Sequence, residues 1–221
     1  MAPRRAGALR AEDGRIGLRE HLIGAAERLI AEHGTAGLTV RAIARAAGVA
    51  DGVLYNHFAD KEELLAHALY AHVQAVERAL GALPTPGTGT VEANLRAHLR
   101  YGLALHRAIL PAFAGLLGRP AVLARFAELD GAGRPWRDRL AGYLHAERDL
   151  GRLGTDVTDA RLAAAAAMLV GICHDTVLTR LLAPGGPHPA PRPAGGPGRS
   201  DAPDAALVGP VIAVLLAGIG R

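Results

Sequence analysis

Residues 39–65 read TVRAIARAAGVADGVLYNHFADKEELL, and this stretch decides the fold of the N-terminal part of the chain. Thr39 can cap a helix whose apolar residues recur at helical spacing, namely Val40, Ile43, Ala44 and Ala47. Gly48 is suited to end that helix, and a second short helix is expected over about 51–58. Two short helices joined by a turn of three to four residues that contains glycine are typical of a helix-turn-helix.

The second helix of this motif is predicted to have a buried side and an outward side. Leu54 and Phe58 are four residues apart, so they share one face and are expected to pack on the first helix. The outward side would then carry Asp51, Gly52, Val53, Tyr55, Asn56 and His57. Such polar side chains on a short, rigid helix can bond to base edges and phosphates, and a glycine lets the backbone approach DNA closely. We therefore predict that this side binds double-stranded DNA.

The segments that flank the motif are predicted to complete a DNA-binding domain over residues 15–60. Residues 1–14 lack apolar periodicity and are expected to form a flexible arm. The first helix of the domain would bury Leu18, Leu22, Ala25, Ala26, Leu29 and Ile30. Asp60 followed by Glu63 resembles a capping box and predicts a linking helix over 61–80.

Residues 81–221 are predicted to form a second helical domain that binds an effector and dimerises. Alanine, leucine and arginine favour helices, whereas the aromatic residues that favour strands make up only 4% of the chain. The Pro- and Gly-rich residues 183–203 are expected to form a loop between helices at 158–182 and 204–219. The fold class that follows is all-α, with about nine to ten helices.

Composition limits the binding partners and the cellular location expected for the chain. The formal net charge of +4 permits nucleic-acid binding. Cys173 is the only cysteine, which excludes an intrachain disulfide and fits a reducing, cytoplasmic location. The N-terminal residues lack the apolar segment of a secretory signal. The apolar stretches at 162–173 and 205–220 fall short of the ~20 residues that span a bilayer, so no membrane association is expected.

Motifs for catalysis and for metal or cofactor binding are missing from the sequence. Ser200 is the only serine and lies in the Pro- and Gly-rich segment, which argues against a serine nucleophile on a sharp turn. Lys61 follows no glycine-rich phosphate loop, and cysteines and histidines lack the spacing of a zinc site. His145 and Asp149 could share a metal, but a surface polar pair is the favoured interpretation. We therefore expect neither an enzyme nor a bound metal or cofactor.

Polar and aromatic residues inside the apolar helices of the second domain are candidates for an effector pocket. A pocket of this kind combines apolar walls with a few polar anchors. The candidate residues are Tyr101, His106, Phe113, Phe126, Trp136, Tyr143, Met168 and His174. For each of them, a satisfied position in the core or at its rim is the alternative. Few charges fall at inward positions, so the effector is expected to be a small, largely apolar molecule.

Helices 158–182 and 204–219 are predicted to form a homodimer interface. Each helix is apolar around more of its circumference than one core contact requires, and small residues would allow close helix approach. The alternative is that each helix lies inside the core of a monomer.

Residues 20–65 resemble the DNA-binding domain of the tetracycline-repressor (TetR) family, over about a fifth of the chain. The groups that carry the resemblance are Leu38-Thr39-Val40, Ile43-Ala44, Ala47-Gly48-Val49, Leu54-Tyr55, His57-Phe58 and Lys61-Glu62-Glu63-Leu64. The resemblance implies a transcriptional regulator, usually a repressor, that binds an inverted-repeat operator as a dimer until an effector releases it. The remaining alternatives are an all-α enzyme that uses buried histidines and a protein-interaction module without DNA binding.

The resemblance also assigns roles to single residues. Phosphate contacts would come from Thr39, Arg41, Tyr55, His57 and Lys61. Base contacts would come from Ala50, Asp51, Gly52, Val53 and Asn56. Ala50 stands where the family usually has a capping serine, so Asp51 becomes the candidate cap, and it brings a negative charge towards DNA. Val53 replaces a frequent threonine and offers only an apolar contact, for instance with a thymine methyl group.

Overall fold

The computed structural model describes residues 3–35, 38–129, 136–154, 156–183 and 202–219. This part of the chain is helical, with eight α-helices and one 3₁₀ helix and no strand, which confirms the all-α prediction. The elements are α1 (Pro3–His33), α2 (Val40–Ala47), the 3₁₀ helix (Asp51–Asn56), α3 (Lys61–Leu80), α4 (Val91–Ala114), α5 (Pro120–Glu128), α6 (Trp136–Asp149), α7 (Asp159–Leu182) and α8 (Ala202–Ile219).

The N-terminal arm differs from the sequence-based expectation. Residues 3–14 belong to α1, so the prediction of a flexible arm over 1–14 is wrong for them. Pro3 occupies the first position of the helix, where the missing amide hydrogen costs nothing, and the following Arg, Ala and Leu residues favour helix. Apolar periodicity failed as a guide here, because a helix needs an apolar stripe only where it packs. The loop expected over 183–203 lies mostly outside the described residues, and α8 already begins at Ala202.

The chain divides into two compact units. Among the described residues, the head unit contains 3–75 and 111–129, and the body unit contains 76–110, 136–154, 156–183 and 202–219. The helices α3 and α4 each contribute residues to both units. The end of α4 and the whole of α5 therefore group with the DNA-binding motif, whereas the sequence placed them in the second domain.

The head unit is held by an apolar core that α1, α2, the 3₁₀ helix, α3 and α5 build together. Its largest buried side chains include Leu22, Ile43, Leu54, Phe58, Leu64, Leu65, Leu69 and Leu116. The buried Thr35 hydroxyl donates a hydrogen bond of 3.0 Å to the carbonyl of Ala112, near the end of α4. The residues predicted to face the core from α1 and α2 do so, which fixes the orientation of the turn between α2 and the 3₁₀ helix.

The body unit has its own core, built from α4, α6, α7 and α8. Its fully buried side chains include Leu95, Leu99, Leu103, Leu140, Leu144, Leu162, Leu169, Val208 and Ile212. By length and composition α7 could cross a membrane, since its mean hydropathy reaches 1.6. Helices at the centre of a protein core satisfy the same criterion, and the buried face of α7 packs in the core of this unit.

Candidate nucleic-acid interface and ligand concavity

The turn after α2 has the geometry that the sequence predicts. The Thr39 hydroxyl oxygen accepts a hydrogen bond of 3.1 Å from the Ala42 amide and so caps the start of α2. Gly48 ends the helix with a φ of 69°, in the left-handed region that favours glycine. The next amide, of Val49, donates to the carbonyl of Ala44 at 3.0 Å, which completes a Schellman-type stop.

The second element of the motif is a 3₁₀ helix and not the expected α-helix. The amides of Val53 and His57 donate to the carbonyls three residues earlier, of Ala50 and Leu54, at 3.0 Å each. Ala50 occupies the capping position and has no side chain that could accept a hydrogen bond there. The expectation that Asp51 replaces the missing cap is wrong, because Asp51 lies inside the first turn. An uncapped start and a length of six residues suit the tighter helix.

The predicted inner and outer sides of this short helix are both confirmed. Leu54 and Phe58 are buried in the head core, whereas Tyr55 is 61% exposed. The exposed residues among the candidate DNA contacts are Thr39, Arg41, Ala50, Asp51, Gly52, Tyr55 and Asn56. The half-buried ones are Val53, His57 and Lys61. Burial and the positive charge of Arg119 lower the pKa of Lys61.

Two of the candidate DNA contacts interact with each other. The Nε atom of Arg41 lies 3.5 Å from the Oδ2 atom of Asp51, and both side chains remain mostly exposed. An exposed ion pair of this length contributes little to stability. Its consequence is electrostatic, because the carboxylate offsets the charge of an arginine on the same surface.

Arg19 of α1, which the sequence did not predict as a site residue, contacts the segment after the 3₁₀ helix and the first turn of α3. Its guanidinium lies 4.5 Å from the centre of the Phe58 ring and donates to Glu63 Oε1 at 2.6 Å. The other oxygen of Glu63 accepts from the Ala59 amide at 2.7 Å. The sequence signal for this role is weak, since a lone arginine on a helix is usually a solvated residue.

Asp60 caps the start of α3 and also bonds to α5. Asp60 Oδ1 accepts from the Glu63 amide at 2.8 Å, so the predicted capping interaction is confirmed. Asp60 Oδ2 accepts from Arg125 of α5 at 2.5 Å. The helix α5 is thus bonded to Asp60, the residue before the candidate DNA contact Lys61.

The eight residues predicted to line an effector pocket belong to both units. Phe113 and Phe126 belong to the head unit, where their rings meet edge to face at 5.3 Å. Met168 lies on α7 and is 53% exposed. The remaining five belong to the body unit.

Three of those five form an aromatic cluster in the body core. The ring of His106 lies 5.7 Å from that of Trp136 and 4.7 Å from that of His174. The His106 Nδ1–H donates to the carbonyl of Gly102 at 2.6 Å, so this imidazole has a partner within its own helix. Burial lowers the pKa of His106. His106 therefore fits the alternative interpretation, a satisfied residue of the core.

Tyr143 lines an open concavity of about 280 Å³ in the body unit. The other lining residues are Gly81, Ala82, Leu83, Pro84, Pro86, His98, Arg139 and Gly142. Arg139 forms an ion pair with Glu77, and its guanidinium also donates to the Tyr101 hydroxyl at 3.3 Å. Burial, with a contribution from Glu147, raises the pKa of Tyr143.

His98 is one of the residues of this concavity that the sequence did not predict. Its side chain is 2% exposed, and its ring lies 4.5 Å from that of Tyr143. Within the described part of the chain neither ring nitrogen has a hydrogen-bond partner. Burial and the charge of Arg139 lower the pKa of His98 to about 4, so the imidazole is neutral at pH 7. The available signal was its spacing, three residues after Leu95 on the apolar stripe of α4.

Residues 22–68 match the sequence profile of the family described as bacterial regulatory proteins, tetR family. Over these residues, in its N-terminal part, the chain is similar to the members of this family. The matched segment contains the whole turn from α2 to the 3₁₀ helix and the capped start of α3. A family of regulatory proteins agrees with the prediction of a regulator and not an enzyme.

A curated transcriptional repressor is also similar to a short segment of the chain. The HTH-type transcriptional repressor AcnR of Corynebacterium efficiens is 41% identical to the chain over 49 residues. The aligned segment covers 22% of this chain and 26% of AcnR, so the chain spans about a quarter of this relative's length.

Solved structures extend the likeness in fold to most of the chain. The flavonoid-responsive regulator FrrA superposes with a TM-score of 0.63 at 24% identity, over 92% of this chain and 97% of FrrA. The multidrug binding protein EbrR, complexed with imidazole, superposes with a TM-score of 0.57 at 22% identity, over 92% and 95%. At these identities the likeness shows the TetR-type fold of the C-terminal helices and nothing about their ligands.

Proposed function

We propose that the chain is a repressor of transcription that binds an inverted-repeat operator as a homodimer and is released by a small, largely apolar effector. The observation that carries the proposal is the exposure of Tyr55, Asn56 and Gly52 on a short helix whose other side, Leu54 and Phe58, is buried in the TetR-type head. Exposed polar groups on a rigid element can enter a major groove without reorganisation.

The roles of the candidate DNA contacts follow from their chemistry. Tyr55, Thr39, His57, Arg41 and Lys61 carry hydroxyl, imidazole or cationic groups and are assigned to phosphates, which position a protein without reading sequence. Base reading is assigned to Asn56 and to the residues around the helix start, which are Ala50, Asp51, Gly52 and Val53. Asn56 would make a two-point contact with adenine, whereas Gly52 and Ala50 would allow close approach.

Dimerisation through α7 and α8 is supported by the apolar side chains that they leave exposed. Val214 is 68% exposed, and Met168, Leu178 and Leu182 are also exposed. A groove of about 220 Å³ runs between the two helices, lined by Met168, Leu169, Ile172, Pro210, Val211, Val214 and Leu215. The occupant that we propose is the same pair of helices of a second copy, because this apolar surface is continuous over both predicted interface helices.

Effector binding in the body unit would be transmitted to the head unit through the helices they share. The helix α4 supplies His106 and Leu103 to the body core and Ala112 to the head core, while Arg125 of α5 holds Asp60 before α3. A ligand releases DNA only through its preference for the non-binding conformation. A hundredfold loss of operator affinity corresponds to about 2.7 kcal/mol of such preference.

The effector and the location are proposed from similar folds and from composition. FrrA is described as flavonoid-responsive and EbrR as multidrug binding, which supports a small organic effector for a chain with the same fold. A chain with one cysteine that acts on DNA is assigned to the cytoplasm.

The test is selection of bound fragments from random duplex DNA, followed by gel shifts with variants. An inverted repeat should be enriched, with half-sites about one helical turn apart. Tyr55→Ala and Lys61→Ala should weaken binding to all sequences, and Asn56→Ala should relax the preference at one or two base pairs. Arg161→Ala, an exposed cation of the body unit, is the control and should bind like the parent. Absence of any enriched repeat would favour the interaction-module alternative.

A further inference from the structure

The concavity beside His98 combines two features that rarely occur together in a folded protein. It is open to solvent, and it is lined by a histidine that is 2% exposed and whose ring nitrogens have no hydrogen-bond partner among the residues that the structure describes. Buried polar groups are normally paired, and each exception calls for an explanation, such as a water or ligand that completes the site. His106 provides the contrast within the same helix, because its Nδ1 is bonded to Gly102.

The charges around the concavity favour a neutral ligand. Arg139, the cation that lines it, is already paired with Glu77, and the nearby Glu147 is paired with Arg152 at 3.3 Å. The His98 imidazole is uncharged at pH 7, since burial and Arg139 hold its pKa near 4. An anionic or cationic ligand would therefore lose its hydration without gaining a free opposite charge.

The lining also sets the shape and size of the ligand. Ala82, Leu83, Pro84 and Pro86 present apolar surface, and the Tyr143 ring lies beside His98. A cavity of 150 Å³ holds benzene, so the concavity of about 280 Å³ would take roughly eleven non-hydrogen atoms. Both nitrogens of His98 are shielded from bulk water, so a ligand that reaches one must rotate the ring or displace the 81–86 segment slightly.

We propose that the concavity formed by the 81–86 segment, His98, Arg139, Gly142 and Tyr143 binds a small, neutral, flat molecule that forms a hydrogen bond with the His98 imidazole. An amide or an alcohol on an aromatic ring has this chemistry. That such a ligand also acts as the effector rests on the proposed function.

Three probes of the same shape test the proposal on the intact protein without DNA. Benzamide is neutral, benzoate is its anionic counterpart and benzamidine is its cationic one. The readout is the nitrogen chemical shift of the His98 ring, followed by NMR during titration to millimolar concentration. Benzamide should shift the His98 signal and bind at least about tenfold more tightly than either charged probe. Equal or tighter binding of a charged probe would overturn the inference that the ligand is neutral. If no probe shifts the His98 signal, the inference that a ligand binds beside His98 is wrong.

Two variants keep the outcome independent of folding. His98→Phe removes both ring nitrogens and should abolish the preference for benzamide. Gly142→Met fills the concavity from a position where an added Cβ meets nothing within 4 Å, so it should block benzamide while leaving His98 in place. If benzamide still binds to a folded Gly142→Met protein as it does to the parent, the site is wrong.

The same titration separates this proposal from the proposed function. A gel shift with the selected operator, with and without benzamide, follows the NMR measurement. Binding at His98 that leaves operator affinity unchanged would support the site and overturn its role in release. A protein that binds no DNA at all would contradict the proposed function and leave the His98 measurement intact.

Discussion

Arg41 and Asp51 form an ion pair across the turn of the helix-turn-helix, with 3.5 Å between Nε and Oδ2. Both residues lie on the proposed DNA surface, one at the start of α2 and the other in the first turn of the 3₁₀ helix. A carboxylate at this position lowers the positive electrostatic potential of the surface. It also engages an arginine that could otherwise bind a DNA phosphate.

Asp51→Asn should therefore strengthen binding to DNA of any sequence. The substitution removes a negative charge and frees the Arg41 guanidinium for a phosphate. The salt dependence of binding should steepen by about one counterion, and affinity for random DNA should rise severalfold at low salt. The measurement is a titration of random and operator duplexes at several salt concentrations.

The double variant Arg41→Ala, Asp51→Asn identifies the route of this effect. If Asp51 acts through Arg41, the gain caused by Asp51→Asn should shrink clearly once Arg41 is absent. An equal gain in both backgrounds would mean that Asp51 repels DNA directly, and no gain in either would remove it from the DNA surface.

Val214→Arg should convert the proposed dimer to a monomer. The side chain is exposed on α8, so the variant should fold, while its charge would have to be buried between two copies. Leu150→Arg is the matched control, since Leu150 is an exposed leucine of the body unit outside the α7–α8 groove. Sedimentation at micromolar concentration should show a monomer for the first variant only. A monomeric parent protein would contradict the interface.

Gly102→Ala should destabilise the protein, although alanine favours helix. An added Cβ at this α4 position would lie 2.3 Å from the Trp136 ring in the body core. We expect a loss of about 1–3 kcal/mol in the free energy of unfolding from this overlap. Gly17→Ala in α1 is the control, because its Cβ would meet nothing within 4 Å. It should leave stability unchanged or raise it by up to about 1 kcal/mol. Denaturant unfolding of both variants decides the comparison.

His98 should make the parent protein less stable in mild acid. Its pKa in the folded protein is about 4, below the unfolded value of 6.5, so the folded imidazole stays neutral where the unfolded one takes up a proton. The free energy of unfolding is therefore unaffected by His98 protonation above pH 6.5. It decreases as the pH falls towards 4, by up to about 3 kcal/mol. The His98→Phe variant has no titratable group at this position and should not show this loss. Relative to the parent, the variant should therefore gain stability between pH 6.5 and 4.5 in urea unfolding. Parallel pH profiles would show that His98 is not held neutral.

Several elements followed from local sequence alone. Thr39, Gly48 and Asp60 were predicted as caps or stops because each role depends on the chemistry of one residue and its near neighbours. The burial of Leu54 and Phe58 was predicted from a spacing of four residues on an α-helical face, and both are buried although Phe58 lies beyond the 3₁₀ helix. Local rules failed where a competing arrangement was close in energy, as for the 3₁₀ geometry of residues 51–56.

By itself, the sequence determined the helical class, the helix-turn-helix and the exposed side of its second helix, because these depend on contacts between residues close in the chain. Only the tertiary structure decided which polar residues meet. It paired Asp51 with Arg41, placed Arg19 over Phe58, and grouped α5 with the head unit. It also placed the His98 ring beside an open concavity, with no hydrogen-bond partner for either ring nitrogen among the described residues. Helical periodicity predicts which residues share one face of a helix. The segments that pack against that face are distant in the sequence, so a local pattern does not identify them.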